Sequence, residues 1–472
     1  MAVLFTRIRS VITFCLAIGY LSNLCIKSDF LKDLNLILLI IVISLSLTVV
    51  TGSAKVIGYV SFALSITLLL VYHAPLSIWE QALQENLYLV VMFTLVPLLG
   101  IPLQYGGYFE SLQGVFRRYI HTDSRFYLLV SMISAFIGVL VNMAVVPLVH
   151  QISLASDKSS NKKLLSVAIG RGFTTCTIWA PTTAAIALVI QLSGAEWPLF
   201  FPYGILFGLI AGLIGYTMMM LEGRRAVNRF APDVTTATTA TTAITSEELK
   251  PIAEISLRKV IELSIFGVIL IALIAIVALI TGISTIIVVS IASLVFPVIW
   301  LSLIGRLPVL FREFRGDYFK ERLPRLKNEI VLFVGAGLFA TSIAFSHLGN
   351  YVPRLLNSIV GSNALSLAIV IIFGSLILSV LGVHPIITVT ILGGTVKAAA
   401  YGVTPTYMAL VLATSWAMGI SISPSAANVI AIAGLTEQSP FKVGVLWNGL
   451  YVLLVSSVLI MVLTLFRTVG LV

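Results

Sequence analysis

Charge is scarce in this chain. Only 10% of its residues are Asp, Glu, Lys or Arg, against about a quarter in a typical soluble domain. Acids are the scarcer sign, with 19 carboxylates against 29 Lys and Arg. Every acid can be placed in a loop or near the end of an apolar run, Glu262 and Glu329 least clearly. A cation substrate or proton antiport needs a buried carboxylate, so this distribution disfavours both. Cysteine is rarer still. Cys15, Cys25 and Cys176 form no C-x-x-C pair or metal-ligand spacing, which argues against a disulfide framework and against a zinc site.

What is present is apolar: 59% of residues are hydrophobic and the mean hydropathy is +1.08. This predicts an all-α polytopic membrane protein. Runs of about 20 residues, enough to span, fall near 10–26, 33–50, 54–73, 86–105, 198–221, 258–280, 283–304, 329–348 and 443–466. The first follows Arg7 and Arg9 but precedes no A-x-A cleavage site, and it is read as a retained span. Regions 164–193 and 404–434 are apolar but interrupted by Pro181 and Pro424. Regions 125–154 and 363–395 are too long for one simple span and have polar centres, Val141-Asn142-Met143 and Gly382-Val383-His384-Pro385. These two are expected to be re-entrant hairpins.

The net charge of +10 raises the question of nucleic acid, which topology answers. With a cytoplasmic N-terminus, non-crossing hairpins and once-crossing broken segments, eleven crossings result, and the C-terminus lies outside. The cytoplasmic side then holds 23 of the 29 Lys and Arg, as the positive-inside rule requires. The excess charge is therefore topological, and no nucleic-acid partner is expected. The basic segment 306–327 reads as a solvated loop on anionic lipid. The membrane is expected to be the plasma (inner) membrane.

Both halves share one order: three spans, an interfacial segment (106–122 or 350–362), a hairpin, a broken span and a final span. Asn142 and His384 are 242 residues apart, and Pro181 and Pro424 are 243 apart. With five crossings per half, the second copy is inverted. The expected organisation is an N-terminal helix (1–32), a first repeat (33–221), a Thr-rich cytoplasmic linker (222–257) and a second repeat (258–472). Inverted repeats with discontinuous helices are the architecture of secondary transporters.

Four stretches carry a family resemblance. "SAFIGVLVNMAVVPLV" (134–149) is similar to the first hairpin of the ion transporter superfamily, with its S-A-x-x-S-N-T-A pattern. "TIWAPTTAA" (177–185) and "SISPSAAN" (421–428) resemble its T-P-x-G-x-x-x-N breaks, and "GVHPIITVT" (382–390) stands at the second tip. That superfamily includes divalent-anion/sodium symporters and arsenite- or citrate-permease-like proteins. The tip survives here as Asn142 followed by Met143 and Ala144, and the second tip has His384-Pro385. The resemblance implies a homodimer, Na+ as candidate coupling ion beside an anionic substrate, and elevator-type alternating access.

The substrate-binding candidates are Asn142, Thr182, Thr183, His384, Ser423, Ser425 and Asn428, with Arg171 beside them. For ion coupling they are Asn142, Thr177, Pro181, His384, Ser421 and Pro424. An unwound helix offers carbonyls to a cation, and the next helix N-terminus favours an anion. The plain alternative is that the hydroxyls only satisfy kinks. Arg171 either clamps an anion or snorkels to the cytoplasmic surface. His384 can titrate, donate as a neutral group, or serve the turn alone. The expected function is secondary transport of a small organic or inorganic anion, coupled to Na+ or H+. No organic cofactor, metal site or enzyme activity is expected. The rivals are a cation/proton antiporter or metalloid exporter on the same scaffold and, in another class, a membrane enzyme acting on lipid-linked substrates.

Overall fold

The computed structural model describes residues 2–229, 257–361 and 363–472. Most of the Thr-rich linker lies outside the described residues. Among those described, the regular structure is helical, and eleven helices are long and apolar enough to cross a membrane. In chain order the first half comprises α1 (Ala2–Ile26), α2 (Asp29–Val49), α3 (Ser53–Val71), α4 (Leu76–Gln84), α5 (Leu87–Leu95), α6 (Gly100–Tyr105), α7 (Tyr108–Tyr119), α8 (Asp123–Val141), α9 (Val145–Ser153), α10 (Lys162–Thr177), α11 (Ala184–Ser193) and α12 (Trp197–Arg229). The second half holds α13 (Leu257–Thr281), α14 (Thr285–Leu303), α15 (Leu307–Glu313), α16 (Leu323–Arg325), α17 (Lys327–Phe345), α18 (Tyr351–Val360), α19 (Ala364–Val380), α20 (Pro385–Thr395), α21 (Pro405–Ile422), α22 (Ala427–Thr436) and α23 (Trp447–Thr468).

The count of eleven equals the number of crossings read from sequence, but the membership differs. By length and apolarity, 123–153 counts as a span, whereas 162–193 divides into two shorter helices. The chain turns sharply within 123–153. Asn142 takes a positive φ of 52°, which stops α8, and α9 then packs against α8. A positive φ is uncommon for a residue other than glycine, and the turn holds Asn142 there. The equivalent turn before α20 uses Gly382 at φ 94°, where a glycine meets no steric penalty.

Two geometric facts connect the halves. Helices α11 and α22 both contain 10 residues, and each boundary differs by the same 243 positions. A hydrogen bond also recurs at that offset. Thr182 Oγ1 donates to the Val139 carbonyl at 2.5 Å, and Ser425 Oγ donates to the Gly382 carbonyl at 3.1 Å. Each bond ties an unwound segment to the turn before it. Thr182→Val keeps the shape but deletes the donor, leaving a buried carbonyl unpaired, and is expected to cost about 1 kcal/mol. Thermal unfolding in detergent would measure this, and an unchanged melting temperature would rule the bond out as a contributor.

Small residues set the closest helix contacts. In membranes such residues allow backbones to approach. Ser131 Oγ donates to the Ala168 carbonyl at 3.2 Å where α8 crosses α10. A Cβ on Gly172 would lie 2.4 Å from the Ser131 carbonyl oxygen. Between α3 and α17, a Cβ on Gly58 would come 2.3 Å from a Val331 methyl. Helix α21 is apolar on all sides and buried from Tyr407 to Ile422, consistent with a central position.

The basic segment 306–327 is helical rather than the loop expected from its composition, although Arg306, Arg312, Arg315, Lys320 and Arg325 are exposed as expected. It folds into α15, a π-helical stretch over Phe314–Arg322, and α16. Tyr318 is fully buried and donates to the Thr94 carbonyl at 2.6 Å, while Arg322 Nη1 donates to the Pro97 carbonyl at 2.9 Å. The carbonyl-rich bend between α5 and α6, opened by Pro97, supplies the acceptors that draw these side chains in.

Candidate functional site

A cavity of about 390 Å³ lies where the turns and breaks meet. Of the residues singled out from sequence, Asn142, Thr177, Thr183, His384, Ser425 and Asn428 line it. Thus both turns and both breaks contribute. The remainder of the wall is largely apolar, with Phe93, Phe173, Leu332, Phe333 and Trp416 prominent.

The other candidates do not reach the cavity. Thr182 is committed to Val139. Ser423 lies behind Ser425, their hydroxyls 3.0 Å apart. Ser421 shares a hydroxyl–hydroxyl hydrogen bond with Thr174, which joins the two broken segments. Pro181 and Pro424 open the backbone without facing the space.

Arg171 neither snorkels nor faces the cavity. It is 3% exposed, with Nε donating to Asn448 Oδ1 at 2.9 Å and Nη2 to the Trp447 carbonyl at 3.0 Å. Its guanidinium lies over the Tyr451 ring at 4.6 Å. Aromatic faces and a weakly hydrated planar cation make this burial tolerable. Asn448 was not identifiable from sequence as its partner, since the two are 277 residues apart.

His384 has a defined local role. It is the N-cap of α20, and its Nδ1 accepts from the Ile386 amide at 3.2 Å. An accepting Nδ1 carries no proton, so the neutral ring holds its proton on Nε2. Protonating Nδ1 would break the cap. His384 is therefore better suited to neutral donation than to carrying protons. Its ring stands edge-on to Trp416, with centroids 6.4 Å apart.

The most informative feature is where helices begin. Five helix N-termini contribute to the wall: Ser53 and Ala54 of α3, Ala184 and Ala185 of α11, Asn328 and Glu329 of α17, Ile386 of α20, and Ala427 and Asn428 of α22. A helix N-terminus carries about half a positive charge and free amide donors. Thr183 Oγ1 takes one such donor, from Ile186, whereas Ala426 at the start of α22 has no side chain to offer. No lysine or arginine lines the cavity among the described residues. The helix starts thus bring partial positive charges to the wall, beside the carboxylate of Glu329, and helix N-termini are a setting in which anions bind in other proteins.

Sequence reasoning missed four polar wall residues. Thr51 and Ser53 lie between two apolar runs, where they look like an ordinary turn. In the structure the Thr51 amide donates to Asn328 Oδ1 at 3.1 Å, and Ser53 Oγ donates to the Ser425 carbonyl at 3.3 Å. Asn328 and Glu329 sit near a helix end, as their place in the sequence suggests, but that end forms the cavity wall. Glu329, one of the two acids the sequence placed least clearly, is the acid that lines the cavity. The available signal was its position at the edge of an apolar run.

No family model and no curated protein matches the chain. Among solved structures, it is similar to the crystal structure of the Alcanivorax borkumensis YdaH transporter, with a TM-score of 0.52 and 14% sequence identity. The alignment covers 80% of this chain and 85% of that one. At such low identity the likeness is one of fold. The chain is an all-helical integral membrane protein with the fold of a membrane transporter.

Proposed function

We propose that this protein is a secondary active transporter of a small organic or inorganic anion, coupled to Na+ or H+. The observation that carries this reading is the convergence of five helix N-termini on one cavity that no lysine or arginine lines among the described residues. Such a site stabilises negative charge with fixed amides and needs no side-chain counter-ion. Its volume of about 390 Å³ falls in the range of small-molecule sites. The recurring 243-residue offset supports two inverted repeats with re-entrant hairpins at α8–α9 and α19–α20. The YdaH likeness supports transport at the level of fold. On this reading the hairpins and broken helices move together as an elevator, and the protein is a homodimer of the ion transporter superfamily in the plasma (inner) membrane. The positive-inside pattern supports a cytoplasmic N-terminus and an outer C-terminus. Glu329 is the observation that favours the second reading, a cation/proton antiporter or metalloid exporter on the same scaffold.

The test is uptake into vesicles of succinate, citrate, inorganic phosphate and arsenite, each under a Na+ or a proton gradient. Accumulation of an anionic probe is expected, falling at least about tenfold in Asn142→Ala, in which a cavity amide worth ~1.5 kcal/mol is lost. Exchange of inorganic cations with no anion uptake would overturn the reading in favour of the antiporter.

A further inference from the structure

Glu329 is a carboxylate in a cavity otherwise built to receive an anion. It occupies the first turn of α17 and lines the space beside Asn328, Leu332 and Phe333. Its Oε2 is sealed from solvent and receives no hydrogen bond among the described residues. The apolar neighbourhood includes the Phe93–Phe333 ring pair, with centroids 5.0 Å apart. An ionised carboxyl so placed lacks a donor or cation at one oxygen.

The surrounding charges do not supply one. From α3 the nearby cation is Lys55, which lies over the Tyr59 ring at 5.8 Å. From α16 it is Arg325, which pairs with Glu321 at 3.2 Å. Lys327 begins the same helix and is not paired with Glu329 among the described residues. From α20 the titratable group is His384, whose Nδ1 is occupied by the Ile386 amide. The charged groups of α2, Asp29, Lys32 and Asp33, are at its opposite end. Glu85, after α4, meets Thr341, which lies three turns along α17 from Glu329. Tyr88 of α5 donates to Asn86 Oδ1.

We infer that Glu329 is a proton-binding site of the central cavity, and that its protonation is the step that admits the anion. The second clause rests on the transport reading above. Two negative charges in one low-dielectric space repel strongly. A proton on Glu329 removes one of them, so proton and anion bind with positive coupling, and by linkage each strengthens the other. A proton neutralises the sealed Oε2 without further ligands, whereas Na+ would need several more oxygens, so H+ is preferred to Na+ at this position.

The experiment uses the full chain in proteoliposomes and two readouts. Infrared difference spectra across a pH titration, in Na+-free buffer, report protonated carboxyls directly. A titrating band should vanish in Glu329→Gln and persist, shifted, in Glu329→Asp. An unchanged band in Glu329→Gln would overturn the proton site. So would a Na+-dependent thermal stabilisation that Glu329→Gln abolishes, with no titrating carboxyl present, since sodium would then hold the position. In the second readout, binding of succinate, citrate and phosphate should tighten by up to about tenfold per unit fall in pH, the limit for one linked proton. That slope should disappear in Glu329→Gln. A retained slope would overturn the linkage. A lost infrared band with none of the probes taken up would uphold the proton site and overturn the transport reading.

Discussion

Asn428→Asp is expected to abolish anion uptake while leaving the protein folded. Asn428 occupies the first turn of α22, is 2% exposed, and lines the cavity. The substitution hardly changes shape. It places a carboxylate at a helix N-terminus, whose dipole offsets part of the cost of burying the charge. The shape of the packed side chain is kept, so the fold is expected to survive the change. An anionic substrate in the same space would meet the new charge. At about 5 Å and an effective dielectric of ~20, the repulsion is about 3 kcal/mol, or roughly a hundredfold weaker binding. Uptake of the anionic probe by the variant and the unsubstituted protein, compared at each point of one pH series, checks this against a melting curve of the same preparation. Retained anion uptake, or a gain in cation exchange, would count against an anion site.

Gly172→Ala is expected to destabilise the protein, although alanine is the better helix former. Gly172 lies within α10 where it crosses α8. Its added Cβ would come within 2.4 Å of the Ser131 carbonyl oxygen and 2.7 Å of the Ser131 Cα. Both are backbone atoms, so no side-chain rotation relieves the contact. Helix propensity favours alanine by about 1 kcal/mol, while overpacking costs about 1–3 kcal/mol. The clash should win, because α8 and α10 must separate and weaken the Ser131–Ala168 bond between them. Gly212→Ala in α12 is the control, since a Cβ there meets nothing within 4 Å. Its melting temperature should hold or rise. Equal behaviour of the two variants would refute the close approach.

Much of the wall was legible because it is punctuated. Proline, asparagine, histidine and small hydroxyls interrupt long apolar runs, and in hydrocarbon such interruptions need a reason. That logic picked out Asn142, Thr183, His384, Ser425 and Asn428. It failed where direction matters. Thr182, Ser421 and Ser423 belong to the same stretches yet do not line the cavity, although their hydroxyls are bonded to backbone or hydroxyls just as those of Thr183 and Ser425 are. Unwound backbone has no periodic face from which side-chain direction could be read. Arg171 failed differently, because its acceptors and aromatic shelf come from α8 and from residues 447–451, far away in sequence.

The sequence by itself determined the solvent and the secondary structure. Apolar runs of spanning length with so few charges satisfy their backbone polarity as helices in a bilayer. It also determined where those helices break, since proline and polar clusters act locally. Only the tertiary structure decided which helix ends meet. The N-termini of α3, α11, α17, α20 and α22 meet at one cavity only when distant segments assemble, and no local pattern encodes that convergence. The same assembly turns Glu329 from a helix-end acid into a carboxylate facing the central space.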